Sequence, residues 1–140
     1  RSFVARGGRM RILFLSPSGE AIRNREAAEG RKFGSLTYNV VHNVEDVRRF
    51  LRACAPQEGG AEQAIQTRFY NHPPHLNLVA IDDKVAFVHH YGTRDRGQDV
   101  PAQVVRDPRI LDYYRREFNS IWEASEAWAW TAWDEFLNNE

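Results

Sequence analysis

The chain has 140 residues, with 19 Lys and Arg balanced by 19 Asp and Glu and a hydrophobic content of 42%. That is enough for one core and too little for two, and the zero net charge removes the electropositive field on which non-specific nucleic-acid binding relies. Cys54 is the only cysteine, which excludes an internal disulfide and a multi-cysteine zinc site and suits a reducing, cytoplasmic setting. No apolar run approaches the roughly 20 residues a spanning helix needs, so no membrane partner is expected.

The opening "RSFVARGGRMRILFLSP" reads as a helix end, a stop at Gly7 and Gly8, and a buried strand over residues 12–15. Because the start reads as mid-domain, an upstream module outside this chain is expected. Residues 20–29 are charged and alanine-rich, a short helix closed by Gly30. Leu36, Val40, Val44, Val47, Leu51 and Cys54 recur at spacings of three and four, which predicts a helix of about twenty residues from Ser35. "QEGGAEQ" is read as a loop, and Ile65, Thr67 and Phe69 alternate as in a half-buried strand.

Residues 76–81 and 85–91 are strand-like runs joined by Asp82, Asp83 and Lys84, the pattern of a hairpin. A polar loop, "GTRDRGQD", and a short strand over residues 102–105 follow. Asp107 and Pro108 supply an N-cap and a first-turn proline to a helix carrying Ile110, Leu111, Tyr114, Phe118, Ile121 and Trp122 on one stripe. The tail holds Trp128, Trp130, Trp133 and Phe136. Between residues 117 and 140 there are six acidic residues and no basic one, whereas residues 1–32 hold eight basic and three acidic ones. The two ends are therefore expected to attract each other. Together the elements predict an α/β domain over residues 1–126, a mixed sheet flanked by helices. Residues 127–140 form a Trp-rich helical tail packed on it or on a partner subunit.

Four of the five histidines, His72, His75, His89 and His90, surround the hairpin. If the turn pairs Asp82 with Val85, Asn77 faces His90 across it; a slip of one residue brings His89 there instead. Adjacent histidines in a strand point to opposite faces, so convergence of the four on a metal is not expected. Arg94 and Arg96 in the polar loop can grip an anion, or remain solvated.

His75, Asn77 and Asp82 stand at the spacing H-x-N-x4-D, which resembles the H-x-K-x4-D signature of the phospholipase D superfamily with asparagine in the lysine's place. "RGGRMRILFLSP" and "VVRDPRILDYYRREFNSIWEAS" are similar to that family's opening and closing strand-helix segments, so the likeness spans residues 3–126. More narrowly, the chain resembles the degenerate single half-domains found behind helix-turn-helix modules in bacterial regulators. The resemblance implies a phospholipase D-like half-domain whose first strand and helix fall outside the chain, and an upstream module of DNA-binding type. It also implies a homodimer that completes the site, with no cofactor and no metal.

In an active member, His75 would attack phosphorus and Asp82 would orient the histidine. Here the neutral amide of Asn77 replaces a fixed cation. The family's downstream G-S-x-N survives only as "GTRD", displaced along the chain and with Asp95 in the asparagine's place. The expectation is a non-catalytic sensing domain that binds a small anionic ligand through His75, Asn77, His90, Gly92, Thr93 and Arg94. A homodimeric phosphodiesterase acting through His75, with Asp82, is the first alternative, and a dimerisation module without ligand the second.

Overall fold

The computed structural model describes residues 3–54, 61–96 and 99–139. A 3-10 turn, Val4–Arg6, closes on Gly7 at φ 77°, a left-handed conformation that glycine adopts without a Cβ penalty. Strand β1 (Met10–Leu15), helix α1 (Glu20–Ala28), helix α2 (Ser35–Cys54), the single turn α3 (Ala61–Ala64) and strand β2 (Ile65–Tyr70) follow. Strands β3 (Leu76–Ile81), β4 (Val85–His90) and β5 (Gln103–Val105) precede helices α4 (Pro108–Ala124) and α5 (Trp130–Asn139). The turn α3 overlaps the end of the stretch read as a loop. No helix among the described residues is long and apolar enough to cross a membrane.

The class is α/β, as the sequence predicts, but the pairings separate into two sheets. β1 and β2 run parallel, with α1 and α2 as the crossover, and β3, β4 and β5 form an antiparallel sheet. The separation has a local cause. β2 offers one edge to β1, and at Phe69 its other edge is taken by Glu126: Phe69 N–H donates to the Glu126 carbonyl at 2.8 Å and Glu126 N–H returns the bond at 2.9 Å.

Helix α4 covers both sheets. The Asp107 side chain accepts from Arg109 N–H at the helix start, beside Pro108 in the first turn. Leu111 and Tyr114 then pack on Ala86, Val88, Leu76 and Leu78 of the antiparallel sheet. One turn further on, Phe118 and Trp122 sit against Arg11 of β1, and Trp122 also sits against Arg68 of β2. Ile110, placed on the same stripe by its spacing, lies exposed.

The other face of the parallel pair carries the main core. Val40 and Val44 of α2, Ile22 of α1, Phe69 and Trp133 are buried together. Trp133 is 1% exposed, and its indole N–H donates to Glu45 at 2.5 Å. Beside it, Arg48 makes a bidentate pair with Asp134 at 2.6 and 2.9 Å. This corrects the expected attraction between the chain ends: the acidic tail helix is held by Arg48 of α2, because the face that buries Trp133 also carries Asp134 toward it.

The hairpin register is the second correction. Asn77 lies opposite His89, and Leu76 opposite His90, whereas pairing of Asp82 with Val85 would have put Asn77 opposite His90. The turn spans Asp82, Asp83 and Lys84, with Asp82 at φ 51° and Ile81 opposite Val85. Burial selects this arrangement. It stacks Leu78 on Val88 and Ala80 on Ala86, while a slip of one residue would have set His89 beside Leu78 in the contact with α4.

Candidate functional site

A cavity of about 190 Å³ opens where the two sheets approach each other beneath α4. Leu13 of β1, Tyr70 of β2, and Phe118 and Ile121 of α4 supply its apolar walls, and His72, His75, Asn77 and Tyr91 its polar ones. The segment between β2 and β3 carries both histidines, and Asn71 anchors that segment. The Asn71 side-chain carbonyl accepts from Ala21 N–H at 3.2 Å in the first turn of α1, satisfying one of the donors a helix start leaves open.

The rings form a short stack. Tyr70 and His72 have centroids 4.7 Å apart, and His72 and His75 are 6.1 Å apart with planes 22° from parallel. His72 Nδ1 lies 3.1 Å from the Pro73 carbonyl. A carbonyl can only accept, so Nδ1 carries the hydrogen of this contact. His75 makes no side-chain hydrogen bond among the described residues. Only its backbone is tied, through the carbonyl that accepts from Tyr91 N–H at 2.9 Å.

Burial pushes the Tyr70 phenol up to about 12, with the neighbouring Tyr91 adding to the shift and Arg25 opposing it. Tyr91 is raised by the same cause, again against Arg25. Both phenols therefore stay protonated at neutral pH and can donate hydrogen bonds. Glu117 also lines the cavity, and among the described residues no lysine or arginine lines it.

The predicted residues divide into those the fold gathers and those it disperses. His75 and Asn77 both border the cavity, but Asn77 alternates with Leu76 and Leu78, which pack on α4, so its side chain is on the other face of β3. Asp82 sits in the turn at the other end of β3, about 20 Å from His75 at the rise of an extended strand, so within one chain it cannot orient that histidine. His90 is on the opposite face from Asn77, with its Nε2 at 2.9 Å from the Tyr114 hydroxyl. His89 takes the place facing Asn77 and has Nδ1 3.2 Å from the Val100 carbonyl.

Gly92, Thr93 and Arg94 do not line the cavity; Thr93 and Arg94 are exposed. Their loop is held from outside the predicted set. Arg25, buried on α1, donates to the Gly92 carbonyl at 2.9 Å, to the Asp95 carbonyl, and to Glu29 at 2.6 Å. Its guanidinium lies 5.1 Å from the Tyr91 ring centroid. Arg25 and the two tyrosines are the residues that sequence reasoning missed. Arg25 in a charged helix looks solvated, and Tyr70 and Tyr91 lie at strand ends in two different sheets. Among the described residues no three His, Cys, Asp or Glu side chains converge to hold a metal.

Fold and cavity together define an α/β domain with a compact, histidine-lined pocket at a junction of two sheets. Residues 2–129 match the DUF5919 family, described as a domain of unknown function, and the chain belongs to that family. No curated protein and no solved structure matches it. The family description makes no connection with the phospholipase D superfamily, so that likeness rests on the residues quoted above.

Proposed function

We propose that the domain is a non-catalytic ligand-binding module of a regulatory protein, taking a small anionic ligand at a degenerate phospholipase D-like site. The observation that carries this reading is the shared cavity of about 190 Å³ that brings His75 and Asn77, the remnant of the signature, together with His72 and two protonated tyrosines. Its size lies below the usual range for drug-sized ligands, which favours a compact guest. The ligand's charged group rests against His72 and His75, away from Glu117, and its apolar part against Phe118 and Ile121.

Two features weigh against phosphoryl chemistry. Among the described residues the lining has no lysine or arginine to neutralise a developing dianion, and His75 has no hydrogen-bonding partner to fix its tautomer as a nucleophile needs. A homodimer belongs to the reading, because the signature occurs once in the chain and the family's site is built from two copies; sedimentation velocity tests it. A thermal-shift series with phosphorylated metabolites tests the pocket. A true ligand raises the melting temperature by mass action, and His75→Ala removes the rise. Release of nitrophenol from bis(4-nitrophenyl) phosphate by the wild type but not by His75→Ala would defeat this reading in favour of a phosphodiesterase.

A further inference from the structure

A second cavity, of about 300 Å³, opens along the outer edge of β2 and is lined by Trp122, Trp128 and Trp130 together with Thr67 and Arg68. β2 is incompletely paired there. Phe69 directs both its N–H and its C=O to Glu126, while the Tyr70 carbonyl faces the other way and accepts from Ser16 N–H at 2.7 Å. Successive residues of a strand direct their backbone groups to alternate edges, so Thr67 presents its N–H and C=O on the same side as Phe69. After Glu126 the chain leaves the ladder, with the Trp128 ring 4.8 Å from that of Phe69. No backbone partner meets Thr67 on that edge among the described residues.

Arg68 adds a cation without a counter-ion. Its Nη1 donates to the Trp122 carbonyl at 2.8 Å and its guanidinium lies 4.9 Å from the Trp122 ring centroid, but it forms no ion pair among the described residues. Because Nη1 sits on the Cδ side of the guanidinium, the bond to Trp122 leaves the side-on fork of Nε and Nη2 open, the edge that grips a carboxylate bidentately. Arg11, 5.3 Å from the same indole and hydrogen-bonded to Asn119, reinforces the positive potential.

An unpaired strand donor and acceptor, an open guanidinium fork and an indole-walled slot describe one kind of guest. We propose that this slot binds an N-acylated apolar α-amino acid, either free or as the last residue of a peptide. The carboxylate takes Nε and Nη2 of Arg68, the N–H of the acyl amide donates to the Thr67 carbonyl, and the side chain lies among Trp128, Trp130 and Ile65. Single-residue strand addition of this kind joins main-chain hydrogen bonds to a side-chain pocket.

Calorimetric titration of the full chain with N-acetyl-L-phenylalanine tests this, against N-acetyl-L-phenylalaninamide and 3-phenylpropanoate. The acid should bind about tenfold more tightly than its uncharged amide and about fivefold more tightly than 3-phenylpropanoate, which lacks the acyl amide. Arg68→Gln should bring the acid down to the level of the amide, and His75→Ala should leave its affinity unchanged. The wild-type comparison stands even if the Arg68 variant fails to fold. Equal affinity for acid and amide, no binding of the acid at millimolar concentration, or dependence on His75 in place of Arg68 would each overturn the assignment. Tighter binding by a longer peptide ending in phenylalanine would assign the site to chain termini, and equal binding to the free acid.

Discussion

The parallel pair β1–β2 and the antiparallel sheet β3–β4–β5 share one covering helix, α4, yet among the described residues only the parallel pair is packed on both sides. Its second face meets α1, α2 and α5, with Trp133 at the centre. The antiparallel sheet buries Leu76, Leu78, Ala86 and Val88 on one face and leaves a row of apolar side chains bare on the other: Val79 is 53%, Ile81 50%, Phe87 37% and Val104 55% exposed. The contrast teaches that stability is concentrated in the first sheet, while the second is fastened chiefly through α4. The His75 cavity lies at the seam, bordered by Leu13 and Tyr70 of the well-packed part and by Asn77 and Tyr91 of the less supported part.

Substitutions on the two sides should separate accordingly. Trp133→Ala should cost most, about 3–5 kcal/mol, in chemical denaturation, because the indole is almost wholly enclosed. A loss below about 1 kcal/mol would show that α5 is not part of the core. Val88→Ala, at the fully buried centre of the other sheet, should cost about 2 kcal/mol. Val79→Thr on the bare face should change stability by less than about 0.5 kcal/mol; a larger loss would mean that this face is covered in solution.

The seam has an alkaline signature. Because the folded state holds the Tyr70 proton to about 12 whereas an unfolded tyrosine loses it near 10, stability falls as the pH rises through that interval. The loss is roughly 3 kcal/mol, and Tyr70→Phe removes this component. Acid acts on the tail. The hydrogen bond from Arg48 holds the Asp134 carboxyl below its ordinary value, with desolvation opposing. The pair's contribution is therefore full at pH values above the ordinary aspartate range and fades as the pH falls through the lowered folded value. Asp134→Asn should flatten that acid limb of a melting-temperature profile.

Much of the fold was legible locally. The spacing in α2 predicts its buried stripe, and Asp107 with Pro108 marks the start of α4, because these signals come from neighbours within one or two helical turns. The hairpin was legible as an element but not in its register, since turns of two and three residues fit the same sequence and only burial against Leu111 and Tyr114 decides between them. Of the site, His75 and Asn77 were legible from their spacing. The loop residues Gly92 to Arg94 were placed too close, because nothing local reveals that the buried Arg25 draws their backbone toward α1. Leu13, Tyr70 and Tyr91 reach the cavity only through the β1–β2 pairing and the crossing of α4, contacts between residues far apart in the chain.

The His72–His75 cavity is proposed to hold a guest without reacting with it. Imidazole NMR during titration with phenyl phosphate examines this directly. The ring signals of His72 and His75 should shift with saturation while those of His42, on the far helix, stay in place, and no phosphoramidate phosphorus resonance should develop. Unmoved His72 and His75 signals, or a phosphoramidate signal growing at His75, would contradict it.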